Sequence, residues 1–377
     1  MRVSGQAAID VEQSYTVPHS AHPGVCMPQK LNLRGRLVGP GEPPYIIAEA
    51  GSNHNGDMKL CRQLIDSAAA CGADAIKFQS WSKSSLICAA EYARNTEYAD
   101  KSRHFGTLEQ MVERYQLTPE QHRDVAAYCR TRGIAFLSSC FSREEVDLLE
   151  SLDVPAFKIA SMDINHLPLL EYVARKSKPV ILSTGMATVG EIGRALGVLQ
   201  GGGAGPVALL HCVSVYPPAY ESINLRNIAM LQQTFDVPVG FSDHTLGTAI
   251  SLAAVACGAC IVEKHFTLDK KMDGWDHAVS ADPPEMEIIV REGRNVFASL
   301  GATLRRVSEE EVEKRKKFRR RIVVNRRMKK GERLRLEDID FKRPGTGIHP
   351  DEFAYVVGRL LARDVAADDE LEWSDLV

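Results

Sequence analysis

The sequence predicts a (β/α)8 barrel followed by a small second domain. Three observations carry this. Eight short apolar runs alternate with segments of helical spacing from residue 45 to about residue 300. The runs are apolar throughout, as a parallel sheet buried on both faces requires. The regularity stops where a charge-dense stretch begins, at residue 309. Eight strands with intervening helices in roughly 250 residues are the arithmetic of a closed barrel.

Residues 1–44 are polar and punctuated by Pro and Gly (VPHSAHPG, VGPGEPP), which reads as an extended arm or irregular lead-in. The eight runs then follow at 45–50 (YIIAEA), 73–79 (ADAIKFQ), 134–139 (IAFLSS), 156–161 (AFKIAS), 179–184 (PVILST), 207–212 (VALLHC), 237–242 (VPVGFS) and 260–266 (CIVEKHF). Segments such as 58–71 and 191–200 supply helical spacing between them. The connection 81–116 is much longer than the others, so it is a functional loop or carries its own helix. Residues 45–300 are assigned to the barrel, 301–318 to a linker, and 319–377 to a small domain of short strands and turns with one helix. The charged stretch 309–330 (EEEVEKRKKFRRRIVVNRRMKK) has two readings. One is a nucleic-acid or localisation patch. The plainer one is a solvated helix and linker with Glu and Lys/Arg paired along it.

Composition sets the outer limits. The 377 residues suggest two domains or slightly more. A hydrophobic fraction of 44% and a charged fraction of 25% exclude wholesale disorder, a collagen-like fibre and a small disulfide scaffold. The net charge of -3, from 46 basic and 49 acidic residues, gives no reason to expect nucleic acid or a membrane surface as partner. Nine cysteines scattered through apolar stretches read as buried thiols in a reducing compartment. The N-terminus lacks the apolar run of a secretion signal. The most apolar stretch, 249–262, is too short and too glycine-interrupted to span a bilayer. A cytoplasmic protein is expected.

Each apolar run ends in a reactive side chain. In order these are Glu49; Lys77 and Gln79; Ser138 and Ser139; Lys158 and Ser161; Ser183 and Thr184; His211; Ser242, Asp243 and His244; Glu263 and His265. Barrel enzymes place their sites at this mouth. Two lysines aimed at one small volume need an anion between them, a phosphate or a carboxylate. The alternative is a lysine that forms a Schiff base. His244 and His265 end adjacent strands, with His211 one strand earlier and Glu49, Glu263 and Asp276 as nearby carboxylates. That mixture suits a divalent first-row ion with open positions. A lone histidine is ordinarily a hydrogen-bonded core residue; a pair at adjacent strand ends favours a metal. Cys257 and Cys260 have redox-motif spacing but straddle a helix end and a buried strand start, so they read as small core residues.

Several motifs resemble one family. IIAEAGSNHNG (46–56), ADAIKFQ (73–79), PAFKIAS (155–161), ILSTGM (181–186), LLHCVSVYP (209–217), GFSDHT (240–245) and EKHFT (263–267) are similar to the sialic acid synthases, and KRPGTG (342–347) resembles their small antifreeze-like (SAF) domain. The resemblance spans about residues 33–377. It implies a TIM barrel plus SAF domain that condenses phosphoenolpyruvate with N-acetylmannosamine or a related sugar. It further implies that His244 and His265 hold a divalent metal, usually Mn2+, with Mg2+ or Co2+ as substitutes. Lys77, Lys158, Ser161 and Ser242 would hold phosphoenolpyruvate, with Ser139 and Ser214 adding contacts. Glu49, Gln79, Asp163, Tyr216 and Asp276 would face the sugar. Arg343 would reach into the barrel of a partner subunit, which implies a domain-swapped homodimer. Many bacterial members carry Glu where this chain has Asp163 and Asn where it has Ser214, and Asn95 and Tyr98 are the candidates for the loop residue that touches the sugar in the family. A Schiff-base pyruvate aldolase and a non-catalytic carbohydrate-binding scaffold are the competing readings.

Overall fold

The computed structural model describes residues 28–377 except 97–98, 101–102, 105, 303 and 344. The chain divides into two compact units between Gly301 and Ala302.

The first unit is a closed barrel of eight parallel strands. They are β3 (Tyr45–Gly51), β4 (Ala75–Ser80), β7 (Ala135–Cys140), β8 (Phe157–Ile159), β9 (Val180–Ser183), β10 (Val207–Cys212), β11 (Val239–Asp243) and β12 (Ile261–His265), and β12 pairs with β3 to close the ring. Each falls within or overlaps one of the eight apolar runs. The outer layer includes α1 (Met58–Ala70), α5 (Pro119–Arg132), α6 (Arg143–Ser151), α7 (Leu167–Ala174), α8 (Val189–Gly201), α9 (Asn227–Phe235), α10 (Ala249–Ala256) and α11 (Pro283–Leu300). Local chemistry fixes where these helices begin. Thr118, Ser142, Thr188 and Asp282 each cap the N–H of a residue three positions on, and that Gln or Glu reaches back to the capping residue's own N–H. The apolar stretch 249–262 is divided between α10 and β12. Among the described residues no helix is long and apolar enough to cross a membrane.

One segment differs from expectation. Residues 31–38, read as irregular lead-in, form a hairpin of β1 (Leu31–Leu33) and β2 (Arg36–Val38). Arg34 and Gly35 both take positive φ, 53° and 88°, the turn that matches strand twist in a two-residue hairpin. Its Leu31, Leu33 and Val38 join a buried cluster with Tyr45, Ile47, Leu137, Ile181 and Ile261 from the barrel strands. Three alternating apolar residues are too short a signal to stand out from polar surroundings. Residues 1–27 lie outside the described residues. The long connection does carry helices, α2 (Lys83–Leu86), α3 (Ala89–Arg94) and α4 (Leu108–Tyr115), with a short hairpin of β5 (Ala99–Asp100) and β6 (Arg103–His104). It has a core of its own, in which Tyr92, Leu108, Met111, Val112 and Tyr115 pack with Trp81 and Phe141. Tyr98 lies outside the described residues, and Asn95 caps α3, its side chain donating to Glu91.

The second unit holds α12 (Glu309–Phe318), the antiparallel pair β13 (Arg321–Val324) and β14 (Ile339–Lys342), and the short α13 (Phe353–Val356). Its core gathers Ile322, Val324, Met328, Leu334, Val356, Leu361 and Leu371. The charged stretch opens as a solvated helix: α12 buries no residue, starts on Glu309, Glu310 and Glu311, and ends on Arg315, Lys316 and Lys317. That order of charges complements the helix dipole.

Candidate active site at the barrel mouth

Strand alternation sorts the polar ends into those that face the mouth and those that face outward. On β11 and its exit, Ser242 and His244 point in while Asp243 points out. On β12, Glu263 and His265 point in while Lys264 points out. The outward pair meets as a buried ion pair of 2.9 Å, and Asp243 also accepts from Ser251 Oγ (2.6 Å) and from the Thr245 N–H (2.8 Å). Lys264 also donates to the Thr245 carbonyl. This network fixes the turn that carries His244. Ser138 likewise points out and bonds Ser80, which bonds His122 on α5. Ser139 points in.

The inward residues line a cavity of about 250 Å3. Among them are Glu49, Lys77, Gln79, Ser139, Lys158, Ser161, Ser214, Tyr216, Ser242, His244 and His265. Lys77 Nζ lies 2.7 Å from Glu49 Oε2, 3.8 Å from Glu263 Oε2 and 3.2 Å from Ser139 Oγ. Burial alone would lower Lys77, but Glu263 and Glu49 outweigh it and hold its amine above the ordinary lysine range. Lys158 donates to Ser183 Oγ (2.6 Å) and to the Ile159 carbonyl (3.0 Å). Here burial wins over the attraction of Glu263 and pulls the amine below the ordinary range. Glu49 accepts from Gln79 Nε2 at 2.8 Å, and burial raises its carboxyl above the usual range against the pull of Lys77. Across the cavity the Gly185 N–H donates to Ser161 Oγ (3.0 Å). A Cβ at Gly185 would stand 2.2 Å from Ser214 Oγ, so the close hydroxyl cradle depends on that glycine.

The histidines form the opposite wall, their rings 5.4 Å apart. His244 donates from Nδ1 to the Val213 carbonyl at 2.8 Å, which leaves Nε2 with its lone pair. Tyr216 stacks on its ring at 4.0 Å. His265 is pushed well below the ordinary imidazole range by burial and by His244, so it is neutral, as a metal ligand must be. His265 Nδ1 and Glu263 Oε2 are buried without a hydrogen-bond partner, a cost that a bound group at the mouth would remove. Among the described residues no three His, Cys, Asp or Glu converge as a complete cation cage. The two imidazoles could hold a cation with further positions open to substrate and water. His211 takes the core role: its Nε2 bonds the Ile223 carbonyl at 2.6 Å.

The remaining candidates sit apart. Asp276 lines an adjoining cavity of about 290 Å3, which shares Gln79, Phe141, Met162, Tyr216 and His265 with the first. Its Oδ2 lies 3.8 Å from His265 Nδ1. Asp163 lines neither cavity; burial and Glu145 raise its carboxyl to about 6. Arg343 belongs to the second unit, exposed, its guanidinium over the Phe318 ring. Two lining residues carried no chemical signal of their own in the sequence. Ser183 was one strand-end serine among several, and its grip on Lys158 is visible only in space. Cys212 read as a core thiol, yet its Sγ faces the cavity 4.0 Å from His244 Nδ1. Eight cysteines are described and none is in a disulfide.

Comparison with known proteins gives the family. The model of the NeuB family matches residues 64–305, and that of the SAF domain matches 319–377. The N,N'-diacetyllegionaminic acid synthase of Campylobacter jejuni is 40% identical over 86% of this chain and 97% of its own. The human N-acetylneuraminate-9-phosphate synthase is 34% identical over 92% of this chain and 96% of its own. A crystal structure of N-acetylneuraminic acid synthetase from Leptospira borgpetersenii superposes with a TM-score of 0.69 at 34% identity, covering 77% of this chain and 97% of that one.

Proposed function

The chain belongs to the NeuB family, a group that contains sialic and legionaminic acid synthases, and from that premise we propose that it condenses phosphoenolpyruvate with an open-chain N-acetylmannosamine-like sugar. The product is a nine-carbon 2-keto-3-deoxy acid. One observation carries the reading: two buried lysines and a ring of hydroxyls converge on a small cavity whose far wall is a pair of buried histidines.

Lys77 and Lys158 counter the phosphate and carboxylate of phosphoenolpyruvate, and Ser139, Ser161, Ser214 and Ser242 donate to its oxygens. A divalent cation, Mn2+ first and Mg2+ or Co2+ as substitutes, would be held by His244 and His265 and would supply Lewis-acid polarisation of the acceptor's aldehyde. Gln79, Tyr216 and Asp276 orient the sugar beside the pair, and Asp163 is assigned to the same task. C3 of phosphoenolpyruvate attacks the aldehyde carbon, and water adds at C2. Phosphate then leaves with the C2–O bond broken. Glu49, raised by burial and gripped by Lys77 and Gln79, is placed to take or return a proton at the acceptor. Arg343 completes the site from a partner subunit in a domain-swapped homodimer.

Phosphate release with phosphoenolpyruvate, Mn2+ and N-acetylmannosamine, followed by mass analysis of the product, tests the reading. A nine-carbon keto acid formed in step with phosphate supports it, and loss of phosphoenolpyruvate with no new carbon–carbon bond contradicts it. The lowered amine of Lys158 favours a second reading, a Schiff-base pyruvate aldolase. Borohydride treatment with pyruvate separates the two. The synthase leaves both lysines unlabelled, and a reduced adduct on Lys77 or Lys158 supports the aldolase.

A further inference from the structure

We propose that the floor of the barrel, at the end away from the mouth, holds a second site that takes a small phosphate dianion between Arg34, Arg36, Arg130 and the hydroxyl of Tyr45. The inference goes beyond the synthase reading and does not depend on it. The N-terminal ends of barrel strands ordinarily serve stability. Here they border a cavity of about 400 Å3, a volume typical of small-molecule sites. It is lined by the β1–β2 hairpin, the first residues of β3 and β7, the residues that lead into β4, and the end of α5. Three of the lining residues are arginines, and among the described residues that line it Asp74 is the one carboxylate.

Asp74 is already satisfied. It pairs with Arg36, lies 3.4 Å from Arg294 Nη2 and accepts the Ile46 N–H at 2.8 Å. Arg36 also donates to the Pro44 carbonyl at 3.0 Å, which fixes its guanidinium. Arg34 meets Asp153 through Nη2, 2.7 Å from the carbonyl and 3.7 Å from the carboxylate, and Lys178 holds that carboxylate more closely, at 2.6 Å. The Arg130 guanidinium makes no ion pair or hydrogen bond among the described residues. Guanidinium groups with spare N–H donors match phosphate oxygens in geometry and charge. Tyr45 is an independent sign of a ligand. The residue is 2% exposed and lines the cavity, yet its hydroxyl has no hydrogen-bond partner among the described residues. Burial, reinforced by Asp74, raises its pKa, so the hydroxyl keeps a proton to donate. A buried hydroxyl left unpaired costs stability, and a phosphate oxygen would remove that cost. Leu33, Ala73, Ile134 and Ala135 complete the wall, an apolar surface that suits the organic part of a phosphate ester.

The test reads each arginine separately. Phenylglyoxal modifies accessible guanidinium groups, and peptide mass spectrometry reports the rate at Arg34 and Arg130, with exposed Arg94 and Arg335 as controls. Neither Arg34 nor Arg130 lines the mouth, so anion binding there does not register. In phosphate-free buffer, near-saturating glucose 6-phosphate should slow modification of Arg34 and Arg130 about tenfold by mass action and leave the controls unchanged. Inorganic phosphate is the second arm. Weaker protection than the ester at equal concentration assigns the site to esters, and equal protection assigns it to the free ion. No protection by either compound, or equal protection by sodium chloride at matched ionic strength, overturns the inference. Tyr45→Phe removes the hydroxyl alone. In a variant that melts like the parent, the glucose 6-phosphate concentration for half-protection of Arg130 should rise about tenfold. Arg130→Gln, at an exposed position, should abolish the protection of Arg34. Unchanged protection in either folded variant contradicts the assignment.

Discussion

A methyl group on Gly185 would stand 2.2 Å from Ser214 Oγ and 2.8 Å from Ser161 Oγ, closer than a Cβ can approach. Gly185→Ala should therefore spread the hydroxyl cradle while leaving the strands untouched. The expected outcome is a rise of about tenfold or more in the KM for phosphoenolpyruvate with little change in melting temperature, measured by steady-state kinetics beside calorimetry. His54 gives a prediction in pH. Burial, with lesser contributions from His122 and His277, lowers its imidazole to about 4. The folded state therefore refuses a proton that the unfolded chain accepts below its ordinary pKa of about 6.5. Stability from this group is complete above that value and is lost as pH falls toward 4, by roughly 3 kcal/mol in total. Denaturant titrations from pH 7.5 to pH 4.5 should show the decline, and His54→Gln should flatten it. Individual roles were only partly legible in the sequence. Lys77 and Lys158 look equivalent as strand-end lysines, yet two carboxylates hold the first charged while burial weakens the charge of the second. The carboxylates that make the difference come from β3 and β12, far away in sequence.

At the scale of elements, the run GFSDHT places four polar residues in succession, and only the two-residue period of a strand tells which of them reach the mouth. The answer is that Ser242 and His244 serve the site while Asp243 and Lys264 clamp it from outside. Removing one partner of a buried ion pair leaves the other charge stranded, at a cost of about 3–5 kcal/mol. Asp243→Ala should lose stability of that order, read by denaturant unfolding, and should weaken Mn2+ binding by displacing His244. Unchanged unfolding would show that the pair is not a clamp. The barrel strands were legible because burial on both faces leaves an unbroken apolar signature. The connection 81–116 was not, because its helices are four, six and eight residues long and give too few turns for a period to register. Its attachment shows instead at Gly56, where a Cβ would stand 2.2 Å from the Arg114 carbonyl at the end of α4.

At the scale of the molecule, the loops that follow β8, β9, β10 and β11 expose an apolar arc. Met162, Met186, Val215 and Leu246 are 59%, 73%, 55% and 49% exposed. An arc of this kind beside a polar mouth suits coverage by another chain, in keeping with the proposed dimer. Two inactive variants test that arrangement. Lys158→Ala disables a barrel and Arg343→Ala disables the contribution from the second unit. Co-expressed, they should regain activity, because a hybrid dimer holds one barrel with Lys158 facing the arginine of the other chain. No recovery in a dimer of demonstrated mixed composition would place Arg343 outside the site.

The proposed reaction at this mouth breaks the carbon–oxygen bond of phosphoenolpyruvate as it forms a new carbon–carbon bond. Phosphoenolpyruvate labelled with 18O in the oxygen bridging C2 and phosphorus tests it most directly. With Mn2+ and an N-acetylmannosamine-type acceptor, the released phosphate should carry the label and the nine-carbon acid should not. Unlabelled phosphate, with the heavy oxygen retained in the product, would contradict it.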